Sequence, residues 1–368
     1  MRLGIDARLA FQTGVGVHIR NMLYYLQNYT STTWQVFVYS RSSEVDRLKK
    51  FITADNFRFI PADFNWHSFS EQSKFLIRLY QDNLNLMHFT YFSFPVLYKR
   101  NFLITLHDLI PYNFKTGKAS TKNFIVYEIK YRMYKFLIKN AVTNSKHIFV
   151  PSKTVADEIC DKFNISENKL SVIYGGVDKE FLDCLDNTNT VETKNYFLYV
   201  GNFYPHKNVD FLIKCFLKAK TNSKLVLVGP DDYFSASIES KYAEAILKGR
   251  LIFKHNLPVS ELVYFYKQAK ALIFPSLSEG FGLPVIEAFS AGLPVIASKI
   301  PVFEELYKDS LFYFDPRVDE SLIKIIKTFD KIDTKQKTKK LKKGEKLLVR
   351  YNFANLANKV FKVYNNYL

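Results

Sequence analysis

An α/β protein made of two Rossmann-like domains in tandem is what the sequence predicts, and three observations carry that reading. Short apolar runs rich in Val, Ile, Phe and Tyr alternate with helical stretches, the pattern of parallel sheets covered by helices on both faces. A polar stretch with an Asn and Thr cluster, Asp183 to Lys194, interrupts the alternation, which then resumes. The 368 residues exceed one average domain, and a 48% hydrophobic content supplies two cores of common size.

In chain order, the first series predicts strands at Leu3–Ile5, Val36–Tyr39, Phe57–Ile60, Leu86–Phe89, Phe102–Leu106, His147–Val150 and Ser171–Ile173. The second predicts strands at Tyr196–Val200, Leu225–Val228, Leu251–Phe253, Ala271–Phe274, Val295–Ala297 and Leu311–Phe314. Helices between them serve as crossovers. A lysine-rich stretch, Lys331–Lys346, reads as a solvated helix or linker, with Lys335, Lys337, Lys339, Lys340, Lys342 and Lys343 facing water. A last helix is expected from about Asn352 to Tyr367. The expected division is 1–182, a linker at 183–194, 195–345, and a terminal helix in 346–368 packing back towards the first domain.

Lys and Arg number 52 against 35 Asp and Glu, a net charge of +17 that suits nucleic acid, anionic lipid and phosphorylated substrates alike. No motif beyond charge supports nucleic-acid binding. Cys160, Cys184 and Cys215 are far apart and lack Cys-x-x-Cys spacing, so neither a disulfide framework nor a zinc site is indicated, and a reducing compartment fits. Asp6 and Arg8 interrupt any leader-type apolar run, and no stretch approaches eighteen uncharged apolar residues; the expectation is a cytoplasmic protein without a membrane span.

The most informative segment runs from Phe274 through Ser-Glu279-Gly-Phe-Gly-Leu-Pro284 and Glu287 to Ala-Gly292-Leu-Pro294-Val and Ala297, parsing as strand, loop, helix, turn and strand. Pro284 suits a first helical turn, and Gly292 with Pro294 stops the helix. Gly280 and Gly282 allow close backbone approach, so the N–H groups of Phe281, Gly282 and Leu283 can meet a phosphate at the positive end of the helix. Two glutamates eight positions apart at a helix start are commonly exposed capping charges; the surrounding Gly-Phe-Gly-Leu-Pro and Ala-Gly-Leu-Pro-Val favour a site instead. In Tyr199-Val-Gly-Asn-Phe-Tyr-Pro-His-Lys-Asn208, Gly201 lets the first strand of the second series turn close to a ligand. Lys207 then stands at a helix start, where an ammonium adds to backbone dipoles and suits a diphosphate.

On these residues the chain resembles glycosyltransferase family 4, whose signature is two glutamates separated by seven residues in such a loop and helix. Glu279 and Glu287 match it. The resemblance implies a GT-B fold, two Rossmann-like domains facing each other across a cleft. It also implies that Glu287 binds the nucleotide ribose, that Glu279 contacts the donor sugar, and that Lys207 binds the pyrophosphate, with His206 a looser match to the family's basic pair.

In the first half, Asp6-Ala-Arg-Leu-Ala-Phe-Gln-Thr-Gly14-Val-Gly16 leads from a strand into a helix, and the family uses a similar loop near the donor phosphate and acceptor. His107-Asp108-Leu-Ile-Pro111 follows a strand at the sheet's carboxyl edge, where open α/β folds bind ligands. Family members with this pattern place the histidine against the donor sugar; a histidine satisfied by its own loop is the alternative. Tyr174-Gly-Gly-Val-Asp178 resembles the family's Asn-Gly-Val-Asp turn, with Gly175 where asparagine is usual.

The function so implied is transfer of a hexosyl group, mannose from GDP-mannose on the mannosyltransferase-like His-Asp-Leu-Ile-Pro and Pro-His-Lys-Asn variants, to a saccharide or lipid-linked saccharide. The family retains anomeric configuration. No Asp-x-Asp occurs, so the sequence lacks the usual carboxylate pair for a metal-nucleotide complex, and no cofactor or metal is expected. Catalysis would rest on His107, Lys207 and Glu279, and donor binding on Gly14, Gly16, Gly201, His206, Lys207, Phe281, Gly282, Leu283 and Glu287. Phe253–Leu257 is the expected region of base recognition. A UDP-hexose or GDP-deoxyhexose donor remains open, as does a noncatalytic sugar-nucleotide-binding or membrane-surface subunit. An epimerase is disfavoured by the paired glutamates. The stretch Thr121–Lys146 interleaves Phe124, Tyr127, Tyr131, Tyr134 and Phe136 with Lys122, Lys130, Arg132, Lys135, Lys139 and Lys146. It reads either as an amphipathic helix resting on anionic membrane at the cytoplasmic face or as a core-packed helix with solvated lysines.

Overall fold

The structure is a computed structural model that describes residues 1–113, 124–188 and 192–368. Its described residues form two compact units, one of residues 1–113, 124–175 and 352–368, the other of residues 176–351.

The first unit holds seven strands, β1 (Arg2–Asp6), β2 (Gln35–Ser40), β3 (Phe57–Pro61), β4 (Leu86–Phe89), β5 (Phe102–Thr105), β6 (His147–Val150) and β7 (Leu170–Val172). They lie in the order β3-β2-β1-β4-β5-β6-β7, every pair parallel, with Ile5 level with Val38 and His88. Alternate residues serve opposite faces, as strand geometry requires. Leu3, Ile5, Val36 and Val38 pack with Ile19, Leu23, Leu356 and Val360 of the helices Thr13–Leu26 and Phe353–Asn365. Phe37, Met87, Phe89 and Ile104 pack on the other side with Ile138 and Val142. Asn352 caps the terminal helix through the Asn355 amide, and Tyr364 shares a 2.5 Å hydrogen bond with the buried His88.

The second unit holds β8 (Tyr196–Val200), β9 (Lys224–Gly229), β10 (Leu251–His255), β11 (Ala271–Phe274), β12 (Val295–Ser298) and β13 (Phe312–Phe314), again all parallel, in the order β10-β9-β8-β11-β12-β13. Each sheet reverses its strand order beside its first strand, between β1 and β4 and between β8 and β11. Loops at the carboxyl ends of those strands are where such sheets bind ligands.

Two expected boundaries are revised. The chain changes unit at Gly175–Gly176, not across 183–194, because the helix Lys179–Asp186 is anchored in the second unit: buried Phe181 meets Tyr266 edge-on at 5.3 Å. Residues 189–191 of the expected linker lie outside the described residues. Residues 346–351 also stay with the second unit, where the Tyr351 hydroxyl donates to the Leu306 carbonyl at 2.7 Å.

The lysine-rich stretch forms the helix Thr334–Leu347, and its lysines are not uniformly solvated. Lys337 lies over the Phe329 ring and Lys340 donates to the carbonyls of Asp309 and Leu311; burial lowers both pKa values.

The basic aromatic helix spans Phe124–Asn144, and it divides between the two readings rather than obeying either. Tyr131 donates to the Tyr112 carbonyl, Tyr134 stacks edge-on against Phe92 and Lys135 lies over the Tyr112 ring, all turned inward. Arg132, Met133, Phe136 and Lys139 are exposed, Phe136 by 55% and Met133 by 44%. Lys122 and the side chains of Phe124, Tyr127 and Lys130 lie outside the described residues. Among the described residues no helix is long and apolar enough to cross a membrane.

Candidate active site

The switch point of the second sheet assembles most of the residues singled out in the sequence. β8 ends in a loop that turns through Gly201, at φ +151°, into the 3-10 turn Pro205–Lys207, and Asn208 at φ +58° opens the helix Val209–Lys218. β11 ends in the loop carrying Glu279, and the Leu277 amide donates to the His206 carbonyl at 2.8 Å, tying the two loops together.

Across that tie, Lys207 Nζ lies 2.5 Å from Glu279 Oε1, which also accepts from the Ser276 hydroxyl at 2.7 Å. The side chains are 14% and 8% exposed, and the ammonium stands 5.4 Å from the centre of the buried Phe274 ring. A cation with three donors and one carboxylate partner retains donor capacity for an anion. His206 is buried and, chiefly by desolvation and then by Lys207, its pKa is pushed down to about 4, so at neutral pH it brings no charge of its own.

Gly282 precedes the helix Leu283–Ser290 with φ +89°, and a Cβ there would sit 2.8 Å from Phe303, so only glycine makes this turn without strain. Behind it the Tyr307 hydroxyl donates to the carbonyls of Phe281 (2.9 Å) and Gly282 (3.2 Å). In a trans peptide the N–H points opposite to the C=O. Drawing those carbonyls inward therefore turns the amides of Gly282 and Leu283 outward, and first-turn amides have no intrahelical acceptor. Tyr307 thus gives a physical cause for the outward orientation of the Gly282 and Leu283 amides; the Phe281 amide has no such tie, and the Phe281 side chain is buried against Tyr351.

Glu287, in the second turn of that helix, is held by the Tyr266 hydroxyl, which donates to Oε2 at 2.7 Å. Desolvation dominates its electrostatics and, with the Asp178 carboxylate adding to it against the Tyr266 hydrogen bond, its pKa rises to about 7. Asp178 caps the helix Lys179–Asp186 by accepting from the Glu180 amide. Tyr266, Tyr307 and Ser276 escaped the sequence reading: each acts through its hydroxyl on partners 3 to 26 residues away, and no local pattern marks them.

The remaining candidates lie in the first unit. His107 follows β5, its Nε2 is 3.1 Å from the Thr90 carbonyl oxygen, and its ring meets that of His18 edge-on at 4.8 Å. Desolvation lowers the His107 pKa to about 4. Gly14 is exposed in the first turn of the helix Thr13–Leu26, whereas Gly16 is buried, and a Cβ on it would stand 2.7 Å from the Ala10 carbonyl oxygen. Gly16 thus lets the helix lie against its own preceding loop.

Asp6 and Arg8, which the sequence offered only as charges against a leader, form the core of that loop. Arg8 is wholly buried, donates to both Asp6 oxygens (2.9 and 2.7 Å), to Glu71 at 2.8 Å and to the Phe64 carbonyl at 3.1 Å, and lies over the Phe75 ring. Glu71, also fully buried, sits in a π-helical turn (Glu71–Phe75) and accepts from Ser93 and the His67 amide. Nothing in the spacing of residues 6, 8 and 71 announces that network.

Tandem parallel sheets of order 3-2-1-4-5-6, the first extended by a seventh strand and the second with a lysine and two glutamates at its switch point, define a glycosyltransferase of the GT-B class. The first half matches the family model described as Glycosyltransferase Family 4 over residues 12–181, and the second the model described as Glycosyl transferases group 1 over residues 185–346. The O-antigen chain mannosyltransferase RfbU of Salmonella typhimurium is 31% identical over 296 residues, 80% of this chain and 77% of that one. The chain belongs to glycosyltransferase family 4. Among solved structures, sucrose-phosphate synthase from Thermosynechococcus elongatus superimposes with a TM-score of 0.77 at 19% identity, covering 100% of this chain and 98% of that one. Anabaena HepE, in complex with UDP-glucose, gives 0.74 at 14% identity over the whole of both chains.

Proposed function

We propose that this glycosyltransferase moves mannose from GDP-mannose, with retention of anomeric configuration and without a metal ion, onto a saccharide or lipid-linked saccharide acceptor in polysaccharide biosynthesis. The observation that carries the reading is the Lys207–Glu279 pair at the β8/β11 switch point, beside a helix start whose amides face outward. The resemblance to RfbU supports mannose and a surface-glycan acceptor.

In this reading the diphosphate lies on the amides of Gly282 and Leu283 and takes hydrogen bonds from Lys207. Glu287 accepts from the ribose hydroxyls and Glu279 from the sugar. His107 is neutral at physiological pH, so its part in the reading is that of a hydrogen-bonding group and not of a charge. The bond from the anomeric carbon to the phosphate oxygen breaks as the acceptor oxygen bonds to the same face of that carbon. The acceptor proton passes to the departing phosphate oxygen. Preorganised donors stabilise the charge that develops there, ordinarily the largest catalytic contribution. The exposed Arg132, Met133, Phe136 and Lys139 face supports a peripheral contact with anionic membrane at the cytoplasmic side, where a lipid-linked acceptor would be met.

The test is a product assay with chelator present, using GDP-mannose, GDP-fucose, UDP-glucose and UDP-N-acetylglucosamine against a panel of lipid-linked and free saccharides. Mannosyl transfer from GDP-mannose alone, with an α-linked product, is expected. Transfer from a UDP-sugar or GDP-fucose would replace the donor assignment. Donor binding without transfer to any acceptor would favour a noncatalytic subunit, and a need for added metal would overturn the metal-free mechanism.

A further inference from the structure

The helix Thr334–Leu347 carries seven lysines and one glutamate, and the structure sorts those lysines into two sets. Lys337, Lys340 and Lys343 are committed to the protein: the first to the Phe329 ring, the second to the carbonyls of Asp309 and Leu311, the third to the Asp309 carboxylate. On the side facing the unit, Gly344 is buried, and a Cβ on it would come within 2.4 Å of Phe289, so the backbone lies directly on the Leu283–Ser290 helix that carries Glu287.

Lys335, Lys339, Lys342 and Lys346 are exposed, and none makes an ion pair with a described carboxylate. At 100° per residue they fall within a sector of about 60°, opposite Gly344, and span about 16 Å of helix. Together with Thr334, Thr338 and the Asp309-paired Lys343 they line one shallow surface groove of about 500 Å³. Two residues past the helix end, Val349 is 79% exposed.

We propose that this lysine face docks on the anionic headgroups of a phospholipid bilayer. Four like charges in one column repel one another, and a diffuse layer of negative charge relieves that repulsion without needing a fixed geometry. The column is all lysine, compact point charges suited to a charged surface, and holds no arginine fork for bidentate recognition of a single phosphate. It presents no aromatic ring on which a base would stack, so the chemistry favours lipid over single-stranded nucleic acid. The exposed Val349 is an apolar group able to enter the headgroup layer at the same end. Docking there sets the membrane one helix layer from the helix bearing Glu287. The surface is separate from the residues assigned to donor binding and from the Phe124–Asn144 helix, so it stands or falls independently of both.

The experiment is sedimentation of the full chain with vesicles of phosphatidylcholine alone and with 30% phosphatidylglycerol, at about 0.15 M salt. The proteins compared are the wild type, K339E/K342E, the charge-matched control K49E/K50E, and R132E/K139E on the other helix. All altered residues are exposed, and unchanged thermal melts check folding. The wild type is expected to bind only anionic vesicles and to dissociate in 0.5 M salt. K339E/K342E should lower the partition coefficient by at least tenfold, at about fivefold per lysine removed, while K49E/K50E stays within about twofold. Binding by K339E/K342E equal to the wild type overturns the proposal, whatever R132E/K139E does. So does lysine-dependent capture of RNA or DNA at the same salt without vesicle binding. Donor binding in solution, measured on K339E/K342E, should equal the wild type, so a failed donor assignment would be distinguished from a failed docking surface.

Discussion

The two sheets share the order of their first six strands and one switch point, and each places a cation there, but the two cations are held in opposite ways. Beside β1 the cation is Arg8, sealed from solvent and held by four hydrogen bonds to Asp6, Glu71 and the Phe64 carbonyl. Beside β8 it is Lys207, partly exposed, with one carboxylate partner and donors to spare. A buried arginine with four of its five donors bound is a brace, whereas a lysine with donors to spare at a strand's carboxyl end has the capacity to take an anion. The topology defines the location in both units; only the second leaves its charge available for chemistry.

The largest effect should come from breaking the brace. Replacing Arg8 with Met strands two buried carboxylates and should cost the first unit about 3–5 kcal/mol, read as a lowered denaturation midpoint. Replacing Lys207 with Ala reverses the pattern. Stability should fall by only about 1–2 kcal/mol, while turnover drops about 10²–10³-fold as leaving-group stabilisation is lost. If Lys207→Ala cost stability as Arg8→Met does and left turnover intact, the contrast would collapse.

Glu287 sharpens the comparison through pH. Its pKa of about 7 lies above the ordinary value of 4.5, so the unfolded state releases its proton first and stability declines as pH rises from about 4.5 through 7. The cost levels off above that, on the order of 3 kcal/mol. Glu287→Gln should accordingly melt higher than the wild type at pH 8 and about equal to it at pH 5, while binding donor more weakly at both. An identical difference at the two pH values would remove the burial argument. The smallest effect concerns support rather than chemistry: Gly344→Ala drives a methyl into Phe289 and should cost about 1–3 kcal/mol in the second unit's thermal stability.

Strand positions were legible because doubly covered parallel strands read as continuous apolar runs; all thirteen expected strands appear within a residue or two. The loop from Ser278 to Gly282 was legible because its glycines and Pro284 have backbone reasons to be there. Tyr266 and Tyr307 were not, since a hydroxyl reaching across the fold leaves no periodic trace. Arg8 was misjudged for the same reason: its partner Glu71 is 63 residues away. Six lysines of one helix, Lys335, Lys337, Lys339, Lys340, Lys342 and Lys343, looked uniformly solvated until Phe329, Asp309 and Phe289 showed which side faces the protein. The unit boundary was missed because polarity marked 183–194, while burial of Phe181 moved the junction back to Gly175–Gly176.

The most direct measurement is the thermal shift given by GDP-mannose in metal-free buffer to the wild type, Lys207→Ala and Glu287→Ala. At about 100 times its dissociation constant the donor should stabilise the wild type by about 2.7 kcal/mol, with the shift sharply reduced in both variants. Equal shifts in all three proteins, or none in the wild type with any nucleotide sugar, would contradict the assignment of the β8/β11 switch point as the donor site.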